Sequence, residues 1–316
     1  MDISILLALQ NIRNGAGGIF AEFLLKMTFF GEMNTVLILM SVIYWSVSKE
    51  FGTWLLMGWS GIRVVNGFLK VTACVYRPWI RDPRILPYGD SMTTATGYSF
   101  PSGHSMNAAS LYGGGAVRKD LPKTLRLFLG IILALVAFSR IYLGVHAPQD
   151  ILAGTAAGLL VMWLIFRLTL YLKKHPEKDI LVLYAGIGIA GAVAVFAAFK
   201  SYPEDFDQTG KLLVDGAKMA VDTFKGVGWC MGFLVGWVLE RRYIGFSTDI
   251  PLIKGITRLT AGLLGYYAVS LIFMPLIKNL VPGAGGTTVS CFLQMFYVTF
   301  IFPWCIKKYE GSSGIR

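Results

Sequence analysis

Two of the three histidines in this 316-residue chain stand in short polar motifs. One is Pro101-Ser102-Gly103-His104; the other runs from Ser139-Arg140 through His146 to Asp150. Upstream, Lys70 is followed after a gap of six residues by Arg77-Pro78. Each residue type suits one job at a phosphate group. Arg77 and Arg140 offer planar forks that match paired phosphate oxygens, and Lys70 adds a point charge. An imidazole can attack phosphorus or move a proton near neutral pH. Together the three motifs describe a phosphate pocket with its own nucleophile.

Over Lys70 to Asp150 the chain resembles the type 2 phosphatidic acid phosphatase superfamily, whose signature reads K-x6-RP, PSGH, SR-x5-H-x3-D; every signature position is filled. The resemblance implies that His146 is the nucleophile forming a phosphohistidine and that Asp150 orients it. It also implies that His104 protonates the leaving alcohol and later activates water. Lys70, Arg77, Ser102, Gly103 and Arg140 are then the phosphate-binding set. No metal or other cofactor is expected. The expected substrate is a lipid phosphomonoester or diphosphate: phosphatidate-like lipids, phosphatidylglycerophosphate, sphingoid-base phosphates and polyprenyl phosphates or diphosphates all qualify. A lipid phosphotransferase with the same pocket is the first alternative, and a lipid transporter or binding protein is one of a different class.

The elements that position these residues follow from local rules. Pro101-Ser102-Gly103 fits a first helical turn, where proline forfeits no hydrogen bond and free backbone N–H groups attract phosphate. Pro148 likewise fits a helix start, which puts His146 just before it and Asp150 inside its first turn, within mutual reach.

With 55% hydrophobic and 15% charged residues, the chain reads as an integral membrane protein. The expected fold is an all-α, polytopic transmembrane bundle: a six-helix-type phosphatase core over 1–175 and about three further spans over 176–316. Apolar runs at 34–48, 52–69, 102–117, 127–143, 151–171, 180–199, 226–239, 255–277 and 287–306 suggest eight or nine spans, several of them shorter than the roughly 20 residues needed to cross a bilayer. Residues 1–30 lack the pattern of a signal peptide. Residues 19–30, interrupted by Glu22 and Lys26, read as an interfacial segment or a short re-entrant helix.

The net charge of +11 reflects topology rather than nucleic-acid binding. Alternate loops hold Lys49; Arg118, Lys119, Lys123 and Arg126; Lys173, Lys174 and Lys178; Arg241 and Arg242; and Lys307, Lys308 and Arg316. By the positive-inside rule these are cytoplasmic, and loop 200–225, with balanced charge, is opposite. Phe100 and Ala147, and with them all three motifs, then face the cell exterior, the periplasm or a lumen.

Other features carry weaker expectations. Gly228, Gly232 and Gly236 form a small-xxx-small ladder that suits close helix packing, either within the chain or in a homodimer. Arg63, on one helical face with Asn66, Gly67 and Lys70, holds a ligand or makes an internal ion pair. Arg81, Asp82 and Arg84 contact head groups or form a solvated loop. Residues 282–286 read as a flexible connection and His175 as a surface residue. Cys74, Cys230, Cys291 and Cys305 show neither zinc nor redox spacing.

Overall fold

A computed structural model describes residues 2–311; Met1 and Arg316, the latter counted above among the cytoplasmic cations, lie outside the described residues. The chain forms α1 (Asp2–Gly15), α2 (Ile19–Met27), α3 (Met33–Val42), α4 (Lys49–Ala73), α5 (Pro78–Arg81), α6 (Gly103–Ala108), α7 (Gly114–Ala116), α8 (Lys123–Tyr142), α9 (Pro148–Lys174), α10 (Asp179–Phe199), α11 (Gly216–Leu239), α12 (Leu252–Ala268), α13 (Met274–Leu280), α14 (Gly283–Phe296) and α15 (Phe302–Gly311). Wide π-turns bridge several of them, as at Ala109–Gly113 between α6 and α7. Among the described residues no strand forms beyond one isolated bridge, Phe206 to Leu212. The architecture is the expected polytopic all-α bundle.

Five helical stretches are long and apolar enough to cross a membrane, and a sixth arises if the bent pair Ile19–Gly31 and Met33–Val47 counts as one span. The eight or nine read from apolar runs is therefore too many by this measure. The run at 102–117 forms the broken, almost wholly buried α6 to α7 stretch, too short to cross. Helices α4 and α11 are long enough, but Arg63, Asn66 and Lys70 in one and Lys218, Asp222 and Lys225 in the other lower their hydropathy. Residues 19–30 are the first arm of the bent pair, which turns by 55° at Glu32.

The contacts divide into two compact units, each drawing on several stretches of chain. The first comprises the described residues up to Val36, Phe68–Trp163 and Lys200–Met219; the second comprises Leu37–Gly67, Leu164–Phe199 and the described residues from Ala220.

In the first unit, α1 is tied to the loops that carry the motifs. Gln10 Nε2 donates to the Arg84 carbonyl (2.9 Å) and its Oε1 accepts from Leu86 N (2.7 Å). Buried Arg13 donates to the carbonyls of Tyr142 (3.0 Å) and Leu86 (2.6 Å). Ala21 and Leu24 of α2 pack on Tyr142 of α8. Arg84 pairs with Asp82 within the loop and Arg81 with Asp2 of α1, so these charges are satisfied by the protein.

In the second unit, a Cβ on Gly228 or Gly232 would collide with the Thr288 or Phe292 carbonyl, and one on Gly236 with the Thr299 hydroxyl. The glycine ladder is thus filled by α14 and the turn after it, in the same chain, and a second copy could use this face only by displacing them. Arg63 lies 5.8 Å from the Trp229 ring, in the same unit as Asp222, whose charge acts on it. This is an internal arrangement rather than a place in the motif cluster. Residues 282–286 are not a flexible connection: Gly283, at φ +81°, opens α14.

Candidate active site

The end of α8 is shaped by a hydrogen-bonded reversal. Gly144 adopts φ +76°; its N–H donates to Ile141 O (2.9 Å), and Val145 N donates to Arg140 O (3.1 Å). This is the Schellman pattern that ends helices on glycine. It swings the chain from Arg140 directly to His146, whose N–H also reaches Arg140 O (3.1 Å). Pro148 then starts α9. Asp150, in the first turn, accepts from Ala147 N through Oδ2 (2.9 Å), capping the helix that carries it.

At the start of α6, Ser102 Oγ accepts from Ser105 N (3.4 Å) and Ser105 Oγ (3.1 Å), the N-cap role its position predicts. Ser102 N donates to the Asp150 carbonyl (3.0 Å), so two motifs are joined through their main chains. Gly154 of α9 faces this turn closely; a Cβ there would sit 2.8 Å from Ser102 O. A Cβ on Gly31 would likewise sit 3.1 Å from His104 Cδ2.

The side chains converge on His146, which is 1% exposed. Its Nδ1 lies 3.3 Å from Asp150 Oδ2, and its Nε2 accepts from Arg77 Nη1 at 2.8 Å. This network assigns the proton to Nδ1 and a lone pair to Nε2. Arg77 Nη1 also donates to Val145 O (2.9 Å), Nε to Gly97 O (3.0 Å) and Nη2 to Thr96 O (3.2 Å). Lys70 Nζ donates to Tyr98 O at 2.6 Å. Main-chain carbonyls therefore aim the cations of the first motif.

Arg140 is wholly buried and donates through Nη2 to Thr94 Oγ1 at 3.4 Å; its Nε and Nη1 have no protein partner among the described residues. Its charge, with those of Arg77, Lys70 and His104, acts on His146. Burial first, and then Arg77, Lys70 and Arg140, hold the His146 imidazole well below the ordinary histidine range. Burial also lowers Arg77 to about 10, against the favourable charge of Asp150. Three cations, Lys70, Arg77 and Arg140, thus outnumber the two carboxylates that act on them, Asp150 and Glu32, in a largely desolvated space. Such an excess is costly unless an anion joins it.

Every residue expected from the motifs is in this first-unit cluster. Lys70, Arg77, His146 and Asp150 are linked through side chains or shared loop carbonyls, Ser102 and Gly103 hold the neighbouring turn, and Arg140 and His104 act on His146 through charge. The motifs did not disclose Ser99. Its hydroxyl donates to Asp150 Oδ2 (2.5 Å) and lies 3.3 Å from His146 Nδ1. Position 99, two residues before Pro101, was the only available signal. Thr94 and the carbonyls of residues 96–98 were equally silent, since a carbonyl belongs to every residue type. Among the described residues no three His, Cys, Asp or Glu side chains gather as a metal site.

Residues 51–174 match the PAP2 superfamily, and residues 224–313 match the transmembrane extension of PAP2 superfamily phosphatases. The chain is 35% identical over 130 residues to phosphatidylglycerophosphatase B of Bacillus subtilis (strain 168), covering 38% of this chain and 63% of that protein. It is 43% identical over 88 residues to undecaprenyl-diphosphatase of Sulfolobus acidocaldarius, covering 27% and 39%. Lipid A 4'-phosphatase of Porphyromonas gingivalis is 31% identical over 137 residues, covering 39% and 55%. The chain thus spans between 39% and 63% of the length of these relatives. No solved structure matches it.

Proposed function

Because this chain belongs to the PAP2 superfamily, we propose that it is a multi-pass membrane phosphatase that hydrolyses a lipid phosphomonoester or diphosphate through a phosphohistidine. The observation that carries this is Arg140, a buried guanidinium with two unpartnered nitrogens beside a histidine whose Nε2 lone pair is preserved. Phosphate oxygens would satisfy the first and draw Arg77 Nη1 off His146 Nε2, leaving that lone pair to meet phosphorus.

In the proposed reaction, His146 Nε2 attacks phosphorus in line as the lipid oxygen departs with a proton from His104. Lys70, Arg77, Arg140 and the Ser102-Gly103 turn hold the equatorial oxygens, supplying charge stabilisation where it develops. Asp150, braced by Ser99, keeps the proton on Nδ1 and stabilises the cation that forms. Water then gives its proton to His104 and attacks the phosphohistidine, releasing phosphate and restoring both histidines.

Three lines of support bear on the remaining expectations. The relatives' names all describe phosphatases of lipid-linked substrates, which supports a lipid substrate here. The two family matches lie on either side of residue 176, which supports a core over 1–175 and an appended region over 176–316, whereas the compact units cut across that division, with Leu37–Gly67 in the second and Lys200–Met219 in the first. The alternating basic loops support an active site on the extracytoplasmic face. Membrane lipids are the surrounding partners, and nothing favours nucleic acid. A homodimer, if formed, uses a face other than Gly228, Gly232 and Gly236.

The test is phosphate release by the detergent-solubilised chain from phosphatidate, phosphatidylglycerophosphate, a sphingoid-base phosphate and polyprenyl mono- and diphosphates. Release from at least one, retained in EDTA and blocked by orthovanadate, is expected. Loss in EDTA with recovery on adding magnesium would sink the histidine mechanism.

A further inference from the structure

Lys200–Met219 joins α10 to α11 and lies outside both family matches, yet it belongs to the compact unit that holds the motifs. It is a built element. Asp207 N donates to Lys211 O (2.9 Å), Leu213 N to Asp205 O (2.9 Å), and Phe206 bridges to Leu212. Asp207 Oδ1 accepts from Thr209 N (2.8 Å), Thr209 Oγ1 (2.6 Å) and Lys211 N (3.0 Å), while Gly210 takes φ +79°. The result is a pinned hairpin turn followed by Asp215, which caps α11 by accepting from Lys218 N (3.1 Å).

This element touches the wall of the phosphate pocket at two points. Tyr76, the residue before Arg77, donates its hydroxyl to Asp205 Oδ2 at 2.6 Å. Burial and then that bond push the Tyr76 hydroxyl up to about 12, so it remains a donor throughout the neutral range. Met219, 4% exposed, fills the space over Gly97, where any Cβ would collide with its thioether. Gly97 supplies the carbonyl that accepts Arg77 Nε, and its neighbours Thr96 and Tyr98 supply those for Arg77 Nη2 and Lys70 Nζ. The Tyr76 and Tyr98 rings lie 6.0 Å apart, closing the set.

We propose that the 200–219 segment braces the phosphate pocket, with Asp205 and Met219 as positioning residues that fix Arg77 and the 96–98 carbonyls. The segment acts on ground-state anion binding, because it sets where the cations point and touches neither histidine. This inference rests on the phosphatase reading for its kinetic test and on anion binding alone for its second.

The experiment compares the full-length wild type with Tyr76→Phe, Asp205→Ala, Asp205→Asn and the Tyr76→Phe/Asp205→Ala double variant. Two quantities are read: the KM and kcat for a lipid phosphate, and the Kd of orthovanadate by titration calorimetry. Removing a hydrogen bond to a charged group should raise KM and the vanadate Kd about fivefold, with kcat kept within about twofold. Asp205→Asn, which keeps an acceptor, should lie nearer wild type, and the double variant should be no worse than the poorer single one. Met219→Ala should raise Kd in the same direction. Partial unfolding would lower kcat and leave KM and Kd alone, so that pattern, or values equal to wild type, overturns the brace. If the wild type turns over none of the lipids yet binds vanadate, and the variants weaken that binding, the brace stands and the phosphatase reading falls. If the wild type binds no vanadate, both fall.

Discussion

At the scale of single residues, the proposed mechanism separates bond-making from binding. His146 and His104 have no substitute among the side chains beside them, so His146→Ala should abolish turnover and His104→Ala should lower kcat by about 10²–10⁴-fold. Asp150→Asn should be milder, since Ser99 and Ala147 N still hold the side chain. Steady-state rates above a tenth of wild type in either histidine variant would refute these roles. The pH profile carries its own sign. Attack needs neutral His146, whose proton affinity is lowered by burial and by the surrounding cations. The acid limb of kcat/KM assigned to His146 should therefore lie below the ordinary histidine value of about 6.5. Lys70→Met removes one of those cations and should move that limb upward. A downward move would mean that another group sets it.

At the scale of elements, the site depends on two helix starts and one helix end that meet through the main chain. Gly154 is the least yielding contact, because the nearest atoms a methyl group would strike are backbone atoms of Ser102 and cannot rotate away. Gly154→Ala should push α9 from the Ser102 turn and lower kcat about tenfold or more, at a stability cost of about 1–3 kcal/mol. Gly191→Ala in α10, with open space around it, should leave both kcat and the melting temperature near wild type or slightly raised. These elements were largely legible in the sequence, since Pro101-Ser102, Gly144 and Pro148 are punctuation with local causes. Ser99 and the hairpin at 200–219 were not. Their roles come from partners between 47 and 129 residues distant, and no local pattern encodes such a contact. The count of apolar runs exceeds the five or six stretches long and apolar enough to cross for a related reason. Apolarity along a run does not tell a lipid-facing helix from one buried by its neighbours, as α6 is.

At the scale of the whole molecule, the chain is a multi-pass all-α membrane protein, and the proposed orientation rests on the positive-inside rule. In a background lacking the four native cysteines, Asp90→Cys and Thr209→Cys should react with an impermeant maleimide from outside, while Lys119→Cys and Lys174→Cys react only after permeabilisation. All four positions are exposed. Labelling of both pairs from one side would reverse the reading of where the site opens. One helix ties that orientation to the reaction. Helix α9 begins at Pro148, carries Asp150 in its first turn and ends on Lys173 and Lys174. Its 27 residues make it about 40 Å long, against a hydrocarbon layer of about 30 Å. Lysines anchored at one interface and a carboxylate committed to His146 at the other leave tilt as the response to a thicker or thinner bilayer. On the proposed mechanism and orientation, membrane thickness becomes a variable of catalysis: host lipids of the wrong acyl length should slow turnover by straining Asp150 away from His146, with the pocket's composition unchanged.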